Sequence, residues 1–246
     1  MRWAEACAVV ALACAGAAEP AAATPAAARP ASLGEVPILT YHRVGSSRRF
    51  ARQVAALARN GYQAVTLGRV WRAWGGEASL PRRPVVLTFD DGYLSQYRTA
   101  ARTLRARGWP GVLNLQFDRL GVRGGLTRAQ VRRMIADGWE LDAHSISHPD
   151  LTAVGARRLR REVAGSSEAI KEAFGQSPSF FCFPYGRFDA DVKAAVRAAG
   201  YLGATTTHRG VASRGDDRFE LPRIGADGRL TPAALLRKMR AAARAS

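Results

Sequence analysis

Short apolar runs alternate with helical patterns of apolar residues from Val36 onward. The runs have the length and composition of buried strands, and they predict strands at residues 36–41, 63–66, 84–89, 111–117, 140–143, 179–183, 202–206 and 219–224. The stretches between them predict helices at residues 50–60, 94–107, 127–137, 156–174 and 189–199. Glycines that suit helix C-caps follow these helices at Gly61, Gly108, Gly138, Gly175 and Gly200.

The alternation of strand and helix continues for about 210 residues, which is typical of a parallel sheet, open or closed into a barrel. In α/β barrels the functional side chains lie just beyond the C-terminal ends of the strands. Polar residues that can carry chemistry fall at or near such ends, and they are His42, Asp90, Asp91, His144, His148, Tyr185, His208 and Arg223. We therefore expect a single α/β domain with one site at this edge.

The first 34 residues differ from the rest in composition. Residues 1–18 combine Arg2 with an almost purely apolar run and small residues near a cleavage position, as secretory signal peptides do. Residues 19–34 are rich in alanine and proline and predict a linker to a folded domain at residues 35–246. A buried N-terminal helix is the alternative, but this linker would pack poorly against a core. We expect export to the periplasm or cell envelope, or secretion, with Cys14 as an alternative lipid attachment site.

Removal of such a signal peptide leaves Cys182 as the single cysteine, so stability has to come from the core rather than from a disulfide. The chain carries 37 Lys and Arg against 20 Asp and Glu, a net charge of +17, which favours anionic partners. The arginines are spread over the helical patterns, and no nucleic-acid motif is present. We interpret the charge mainly as a solvated surface and expect no nucleic-acid partner.

Two adjacent carboxylates end a buried run in the sequence Thr88-Phe89-Asp90-Asp91-Gly92. Such neighbours repel each other unless a cation or hydrogen bonds hold them. The glycine permits a tight turn that presents both side chains. An Asp-Gly turn that caps the following helix is the alternative, and it would be the preferred interpretation if no second motif were present.

The second motif contains His144 and His148, whose spacing of four positions brings both imidazoles onto one side of a helical turn. Zinc accepts neutral imidazole and carboxylate ligands, and a catalytic zinc site leaves positions open for water and substrate. One aspartate with these two histidines meets that description. A structural pair or a chance surface pair is the alternative, although this pentapeptide holds two of the four histidines in the chain.

Residues 88–92 and 144–148 resemble the first two motifs of the polysaccharide deacetylases, the NodB-homology or carbohydrate esterase family 4 enzymes. The similarity extends over nearly all of the predicted domain, and supporting segments are found at residues 41–44, 148–151, 183–186, 199–201 and 221–224. The resemblance implies a distorted (β/α) barrel, usually with seven strands, and a divalent metal, commonly zinc. It also implies hydrolysis of the acetamide on N-acetylglucosamine-type sugars of a polysaccharide.

By the same resemblance, Asp91, His144 and His148 are the metal ligands and Asp90 is the general base. A metal in that position would polarise the acetamide oxygen and acidify a water molecule, whose proton Asp90 would accept. The turn that contains Tyr185 resembles the family in supplying a backbone N–H to the oxyanion. For the ring of Tyr185, an ordinary half-buried aromatic is the alternative.

The sequence departs from the family pattern in two places. In the third motif, many members have an arginine that orients the base, whereas this chain reads Phe-Cys-Phe at residues 181–183. Arg223, on another strand, is the candidate replacement for that arginine. A surface ion pair is the alternative role for Arg223. The C-terminal Leu-x-His that supplies the general acid is absent. His42 resembles a histidine of the subgroup that acts on poly-N-acetylglucosamine, and we expect it to be the acid. His208 is the second candidate, and a structural role is the alternative for His42.

The predicted activity is therefore metal-dependent removal of N-acetyl groups from an N-acetylglucosamine-containing polysaccharide. Two other functions are compatible with the sequence. A small-amide hydrolase could use the same scaffold, because a fold does not fix the substrate. A non-catalytic carbohydrate-binding protein would explain the missing acid motif, but the intact pairs of aspartates and histidines argue against it.

Overall fold

The computed structural model describes residues 34–245. The predicted signal peptide at residues 1–18, Cys14, and all but the last residue of the predicted linker lie outside the described residues. Cys182, the cysteine within them, is free and buried. No helix among the described residues has both the length and the apolar character needed to cross a membrane.

A curved sheet of parallel strands forms the centre of the molecule. Its neighbours are ordered β10 (Ile224–Gly225), β2 (Ile38–Tyr41), β4 (Pro84–Asp91), β5 (Val112–Leu115), β6 (Glu140–Ala143), β7 (Phe180–Cys182) and β8 (Gly203–Thr205). Short β3 (Gln63–Ala64) pairs in parallel with the start of β4, while β1 (Glu35–Val36) and β9 (Ala212–Ser213) pair antiparallel outside this sheet. These seven strands confirm the predicted distorted (β/α) barrel in a single domain.

The segment before β10 brings the two ends of the sheet together. Leu221 pairs with Thr205 of β8, and Ile224 pairs with Leu39 of β2. The predicted strand at residues 219–224 is wrong in extent, because regular pairing covers only Ile224–Gly225. Pro222 has no backbone N–H to continue a ladder, and this explains the interruption.

Helices lie between the strands, as predicted, and pack on the outside of the sheet. They are α1 (Ser47–Arg59), α2 (Leu67–Trp74), a π-helical segment (Gln96–Ala101) that leads into α3 (Arg102–Arg105), α4 (Arg128–Ala136), α5 (Ala156–Phe174), α6 (Ala190–Ala198) and α7 (Pro232–Ala245). All five predicted helices are present, whereas α2 and α7 were not predicted. Thr66, which was assigned to a strand, instead caps α2 by accepting a hydrogen bond from the backbone N–H of Arg69.

The core lies on both faces of the sheet because every residue of β2 and β4 is buried, including the aspartates at the end of β4. An aromatic cluster joins α1 to the sheet: the Phe89 ring centroid lies 5.4 Å from that of Tyr41 and 4.9 Å from that of Trp139. Phe50 packs edge-on against Tyr41, with ring centroids 5.3 Å apart. This packing fixes the ends of β2 and β4, which carry the candidate site.

Candidate metal centre and active site

Strand β4 ends in the two adjacent carboxylates, Asp90 and Asp91. Successive residues of a strand point to opposite faces, so the two side chains contact different partners. Asp91 has a positive φ of 78°, and the next residue, Gly92, has a φ of 94°. A Cβ atom on Gly92 would lie 2.8 Å from Cδ1 of Leu115, so glycine is required both for the backbone angle and for the space.

Asp91, His144 and His148 converge on one point. The Nε2 atoms of the two histidines are 3.0 Å apart, and they lie 3.6 Å and 3.7 Å from Oδ1 of Asp91. His144 and Asp91 are buried, and His148 is partly buried. Three side chains predicted to share a metal are therefore brought together from the ends of β4 and β6.

Hydrogen bonds from other elements hold the loop after β6, which carries both histidines. Nδ1 of His144 lies 2.7 Å from the backbone carbonyl oxygen of Cys182; because a carbonyl oxygen can only accept, Nδ1–H donates this hydrogen bond, and in the neutral ring the lone pair of Nε2 faces Asp91. Glu162 of α5 is buried and accepts hydrogen bonds from the backbone N–H groups of Ile146 and Ser147, at 3.1 and 2.8 Å. The hydroxyl of Ser147 donates to the same carboxylate at 2.7 Å. Glu162 therefore fixes the segment between the two histidines.

Backbone strain is concentrated here. Among residues 34–245, the non-glycine residues with positive φ are Asp91, Ser145, His148 and Tyr185. Each such conformation costs of order 1–2 kcal/mol for an L-residue. All four lie at the ends of β4, β6 and β7, so the strain coincides with the convergence of the candidate ligands. Strain that the fold sustains at one point is typical of a functional site.

The three converging side chains fit a divalent metal such as zinc. Two imidazole nitrogens and one carboxylate oxygen form the ligand set of many catalytic zinc sites, which keep further positions for water and substrate. Burial, followed by repulsion from the adjacent His144 imidazole were both rings to be protonated, lowers the pKa of His148. The imidazole is then neutral at neutral pH, which is the form that binds a metal.

Asp90 lies beside this centre and is almost fully buried. Its Oδ1 accepts hydrogen bonds from Nη1 of Arg223 at 2.9 Å and from Nδ2 of Asn114 at 2.7 Å. Its Oδ2 lies 3.7 Å from Sγ of Cys182 and 3.8 Å from Nε2 of His42. Burial is the largest single influence on the pKa of Asp90 and by itself would raise it, but Arg223, His144 and His42 together outweigh burial and hold the pKa below its usual range. Asp90 is therefore a carboxylate at neutral pH.

Arg223 reaches Asp90 from the segment that closes the barrel. Its Nε donates to the carbonyl oxygen of Thr206 at 2.8 Å, and its Nη1 also donates to the hydroxyl of Thr88 at 3.2 Å. The alternative of a surface ion pair is wrong, because the side chains of Arg223 and Asp90 are only 3% and 2% exposed. The third motif of this chain contains no arginine. Arg223 is close enough to Asp90 to orient its carboxylate instead.

The two candidate acids occupy different surroundings. His42 follows β2, its side chain is 58% exposed, and its Nε2 faces Asp90. Gln96 donates to the backbone carbonyl oxygens of both His42 and Asp90, at 3.0 and 2.5 Å, and so links the two residues. The ring of His208 packs near that of Phe188, with centroids 5.6 Å apart. Within the described residues, the His208 side chain makes no hydrogen bond or ion pair with either aspartate.

Tyr185 belongs to a 3₁₀ turn, Pro184–Gly186, that follows β7. The residue is 60% exposed, which places it among the exposed aromatics rather than the half-buried ones of the alternative. The ring packs edge-on against that of His148, with centroids 4.6 Å apart. The N–H groups of Gly186 and Arg187 donate to carbonyl groups of the turn, whereas the amide of Tyr185 has no acceptor among the described residues. That amide is available to an oxyanion.

Sequence reasoning missed three residues that hold the site, namely Asn114, Gln96 and Glu162. Asn114 had a visible signal, since it is a polar residue inside the apolar run of β5 and lies in register with Asp90. Gln96 and Glu162 lie in helical segments that contain other polar residues, and both are fully buried. Their roles depend on contacts across the fold, which spacing along the chain does not reveal.

Comparison with known proteins places this geometry in a family. The family model for polysaccharide deacetylases matches residues 77–204. The Bacillus subtilis (strain 168) protein YxkH, which is named as a member of the same family, is 28% identical over 197 residues, which cover 77% of this chain and 71% of that protein. A poly-beta-1,6-N-acetyl-D-glucosamine N-deacetylase of Escherichia coli (strain K12) is 47% identical over 60 residues, only 24% of this chain and 9% of that protein.

Solved structures share the fold. The Streptococcus pyogenes deacetylase PplD, solved in complex with acetate, superposes with a TM-score of 0.79 at 23% identity, and the match covers 85% of this chain and 99% of that chain. The matched residues 77–204 include both aspartates and both converging histidines, so the resemblance inferred from the motifs is confirmed. The chain belongs to the polysaccharide deacetylase family.

Proposed function

We propose that this protein is a metal-dependent hydrolase that removes N-acetyl groups from an N-acetylglucosamine-containing polysaccharide. The observation that carries the proposal is the convergence of Asp91, His144 and His148 next to Asp90, a buried carboxylate that is paired with Arg223. A ligand set beside a separate base is the arrangement that metal-assisted hydrolysis requires.

Asp91, His144 and His148 would hold the metal, with zinc as the favoured ion. When bound there, it would supply Lewis-acid polarisation of the acetamide carbonyl and would acidify water. The bond from His144 to the Cys182 carbonyl and the carboxylate of Glu162 would keep the two imidazoles oriented toward Asp91. Orientation of this kind is what the strained loop after β6 contributes.

The chain's own residues would move the protons. Asp90, kept ionised by Arg223, accepts a proton from water as it attacks the acetyl carbon. The Tyr185 amide donates a hydrogen bond to the oxygen on which negative charge develops. His42, within 3.8 Å of Asp90, gives a proton to the amine as it leaves. The products are a glucosamine unit and acetic acid, which ionises to acetate; Asp90 then loses its proton and His42 takes one up, directly or through solvent, so that both residues return to their starting states.

The polysaccharide substrate is supported by relatives rather than by a bound ligand. The E. coli relative is named for action on poly-β-1,6-N-acetyl-D-glucosamine, and a Bradyrhizobium relative, 32% identical over 130 residues, is named a chitooligosaccharide deacetylase. We also propose that residues 1–18 direct export, which would bring the enzyme to the envelope polymers that carry such sugars. A small-amide hydrolase would not need export.

Acetate release from N-acetylglucosamine oligomers tests the proposal directly. Turnover should stop after chelation and return when zinc, cobalt or nickel is restored at about one ion per chain. The variant His148→Ala should lose metal affinity, because two remaining ligands hold a divalent ion poorly. Full activity in chelated protein would refute the metal dependence. Binding of the oligomer without release of acetate would favour a non-catalytic carbohydrate-binding protein.

A further inference from the structure

Two arginines share one aromatic ring beside the candidate active site. The guanidinium carbon of Arg43 lies 4.1 Å from the centroid of the Tyr93 ring, and that of Arg119 lies 4.3 Å from it. Arg43 directly follows His42, and Tyr93 stands two residues after Asp91. The two cations therefore lie on the same edge of the sheet as the candidate acid and the candidate metal ligands.

Arg119 is tied to this edge through the end of β5. Its Nε donates to the side-chain oxygen of Gln116 at 3.3 Å. The backbone N–H of Gln116 in turn donates to the carbonyl oxygen of Asp91 at 3.3 Å. The next N–H, from Phe117, donates to the carbonyl oxygen of Ser145 at 3.2 Å, in the loop between the two histidines. Arg119 is thus anchored to both segments that carry metal-ligand candidates.

The backbone under Tyr93 and Arg119 is also fixed. Tyr93 forms an isolated antiparallel bridge with Gly125, and the N–H of Leu94 donates to the carbonyl oxygen of Gly124 at 2.9 Å. A Cβ atom on Gly125 would lie 2.0 Å from the carbonyl oxygen of Arg119, so only glycine permits this close approach. The ring and the Arg119 side chain are therefore held by one short, tightly packed loop.

Neither guanidinium is neutralised within the part of the chain that the structure describes. Arginines that do pair with carboxylates there are Arg105, Arg133, Arg158, Arg187, Arg197 and Arg223. Stacking on a ring uses the face of a guanidinium group and leaves N–H groups for an oxyanion. Arg43 is exposed and Arg119 is partly exposed, so an incoming anion can reach both. The excess of positive charge in the chain favours the same kind of partner.

We propose that Arg43 and Arg119, held on Tyr93, form an anion-binding subsite, and that the polysaccharide substrate carries carboxylate or phosphate groups near the sugar that is deacetylated. The inference rests on the proposed function and names the class of its substrate. A guanidinium group that is already positioned loses less side-chain entropy when it binds an anion, and its planar donors match either oxyanion. A neutral N-acetylglucosamine polymer would leave this subsite empty.

Calorimetric binding of three N-acetylglucosamine oligomers of equal length tests the subsite without requiring turnover. One oligomer is neutral, one bears carboxylates and one bears phosphates. The protein should bind at least one anionic oligomer roughly 10-fold more tightly than the neutral one. This preference should shrink as salt screens the charges. A preference for both forms supports a general oxyanion subsite, and a preference for one identifies the group.

Two double variants separate the subsite from the overall charge. Arg43→Gln with Arg119→Gln should lose the preference and keep the binding of the neutral oligomer. Arg102→Gln with Arg107→Gln makes the same change in net charge at exposed positions that precede the N-terminal end of β5, and it should keep the preference. The single variant Arg43→Gln, at an exposed residue, should show part of the loss if the first double variant folds poorly.

Equal binding of all three oligomers by the unaltered protein would overturn the proposal. Equal loss of preference in both double variants would also overturn it, because the effect would then belong to net charge alone. Acetate release is measured separately on the same oligomers. Anion-selective binding without acetate release would support the subsite and contradict the proposed hydrolase, so the two failures are distinguishable.

Discussion

Replacing Arg223 with methionine removes the cation that faces Asp90 and leaves an apolar side chain of similar length. Both partners of this ion pair are buried, with 3% and 2% of their side chains exposed. Breaking a buried pair strands the remaining charge and costs about 3–5 kcal/mol. For a domain of this size, each kcal/mol lowers Tm by roughly 2–4 °C, so we expect a decrease on the order of 10 °C.

The same substitution should change the pH dependence. In the wild type the pKa of Asp90 lies below its usual range, because Arg223, together with smaller effects of His144 and His42, outweighs the effect of burial. The pair therefore contributes stability at neutral pH, and this contribution is lost as the pH falls below about 4, where the unfolded carboxyl takes up its proton. In Arg223→Met the largest of the influences that lower this pKa is gone, so the effect of burial weighs more and the pKa should rise. The stability difference should be largest near neutral pH, and the acidic limb of the pH–rate profile should move to higher pH.

Urea unfolding, metal content and acetate release measure these effects. Arg133→Met is the matched control, since the Arg133 side chain is 55% exposed and its partner Asp137 keeps a second ion pair with Arg105, so this loss should cost about 1 kcal/mol or less. Combining Arg223→Met with Asp90→Asn removes both charges and should recover much of the stability without recovering activity. Metal content should stay near that of the wild type. A loss in Arg223→Met no greater than in Arg133→Met would refute the argument.

Three further predictions concern other parts of the site. Asp90→Asn should retain metal while the rate falls by roughly 10²–10⁴, whereas Asp91→Asn should lose metal as well. Equal metal loss in both variants would show that the two carboxylates are wrongly assigned. His42→Ala should retain metal and lose most of its rate on sugar amides, and the loss of rate should be smaller on a substrate with a better leaving group. Normal turnover in His42→Ala together with failure of His208→Ala would reverse the choice of acid. Glu162→Gln should weaken metal affinity by about 10–100-fold, as measured by competition with a chelator, and unchanged affinity would show that the loop after β6 needs no such support.

Alternation of strands and helices was predictable because each long strand is buried on both faces and therefore reads as a continuous apolar run. The sequence was less informative where a short element depends on its neighbours. Helix α2 has only eight residues and contains Gly68, whose N–H donates to the partly buried carboxylate of Glu140, and no local pattern indicates that contact. Helix α7 begins at Pro232, and the hydroxyl of the preceding Thr231 accepts a hydrogen bond from the N–H of Ala234, so this helix start has a signal in the sequence.

Metal chemistry restricts residue types and spacing, so the pair Asp90-Asp91 and the two histidines were distinctive even though β5 and its flanking segments separate them; the family resemblance then indicated Asp91 as the ligand and Asp90 as the base. The residues that position the candidate ligands are less restricted in type and spacing. A buried carboxylate such as Glu162 needs hydrogen-bond donors, but any nearby backbone N–H can serve. Sequence spacing therefore constrains the groups that perform chemistry and leaves open which residues position them.

Arg223 shows that a cation can lie beside Asp90 in the fold without lying in the sequence motif where it is expected. Asp90 needs a positive neighbour if it is to stay ionised while buried, but the carboxylate does not distinguish which strand supplies it. In a closing barrel, β7 and the segment before β10 both approach the end of β4, as the contacts of Cys182 and Arg223 with Asp90 show. An arginine can thus be absent from one strand and present on another without loss of the ion pair. In this chain the electrostatic requirement of Asp90 is met by Arg223, although the third motif itself contains no arginine.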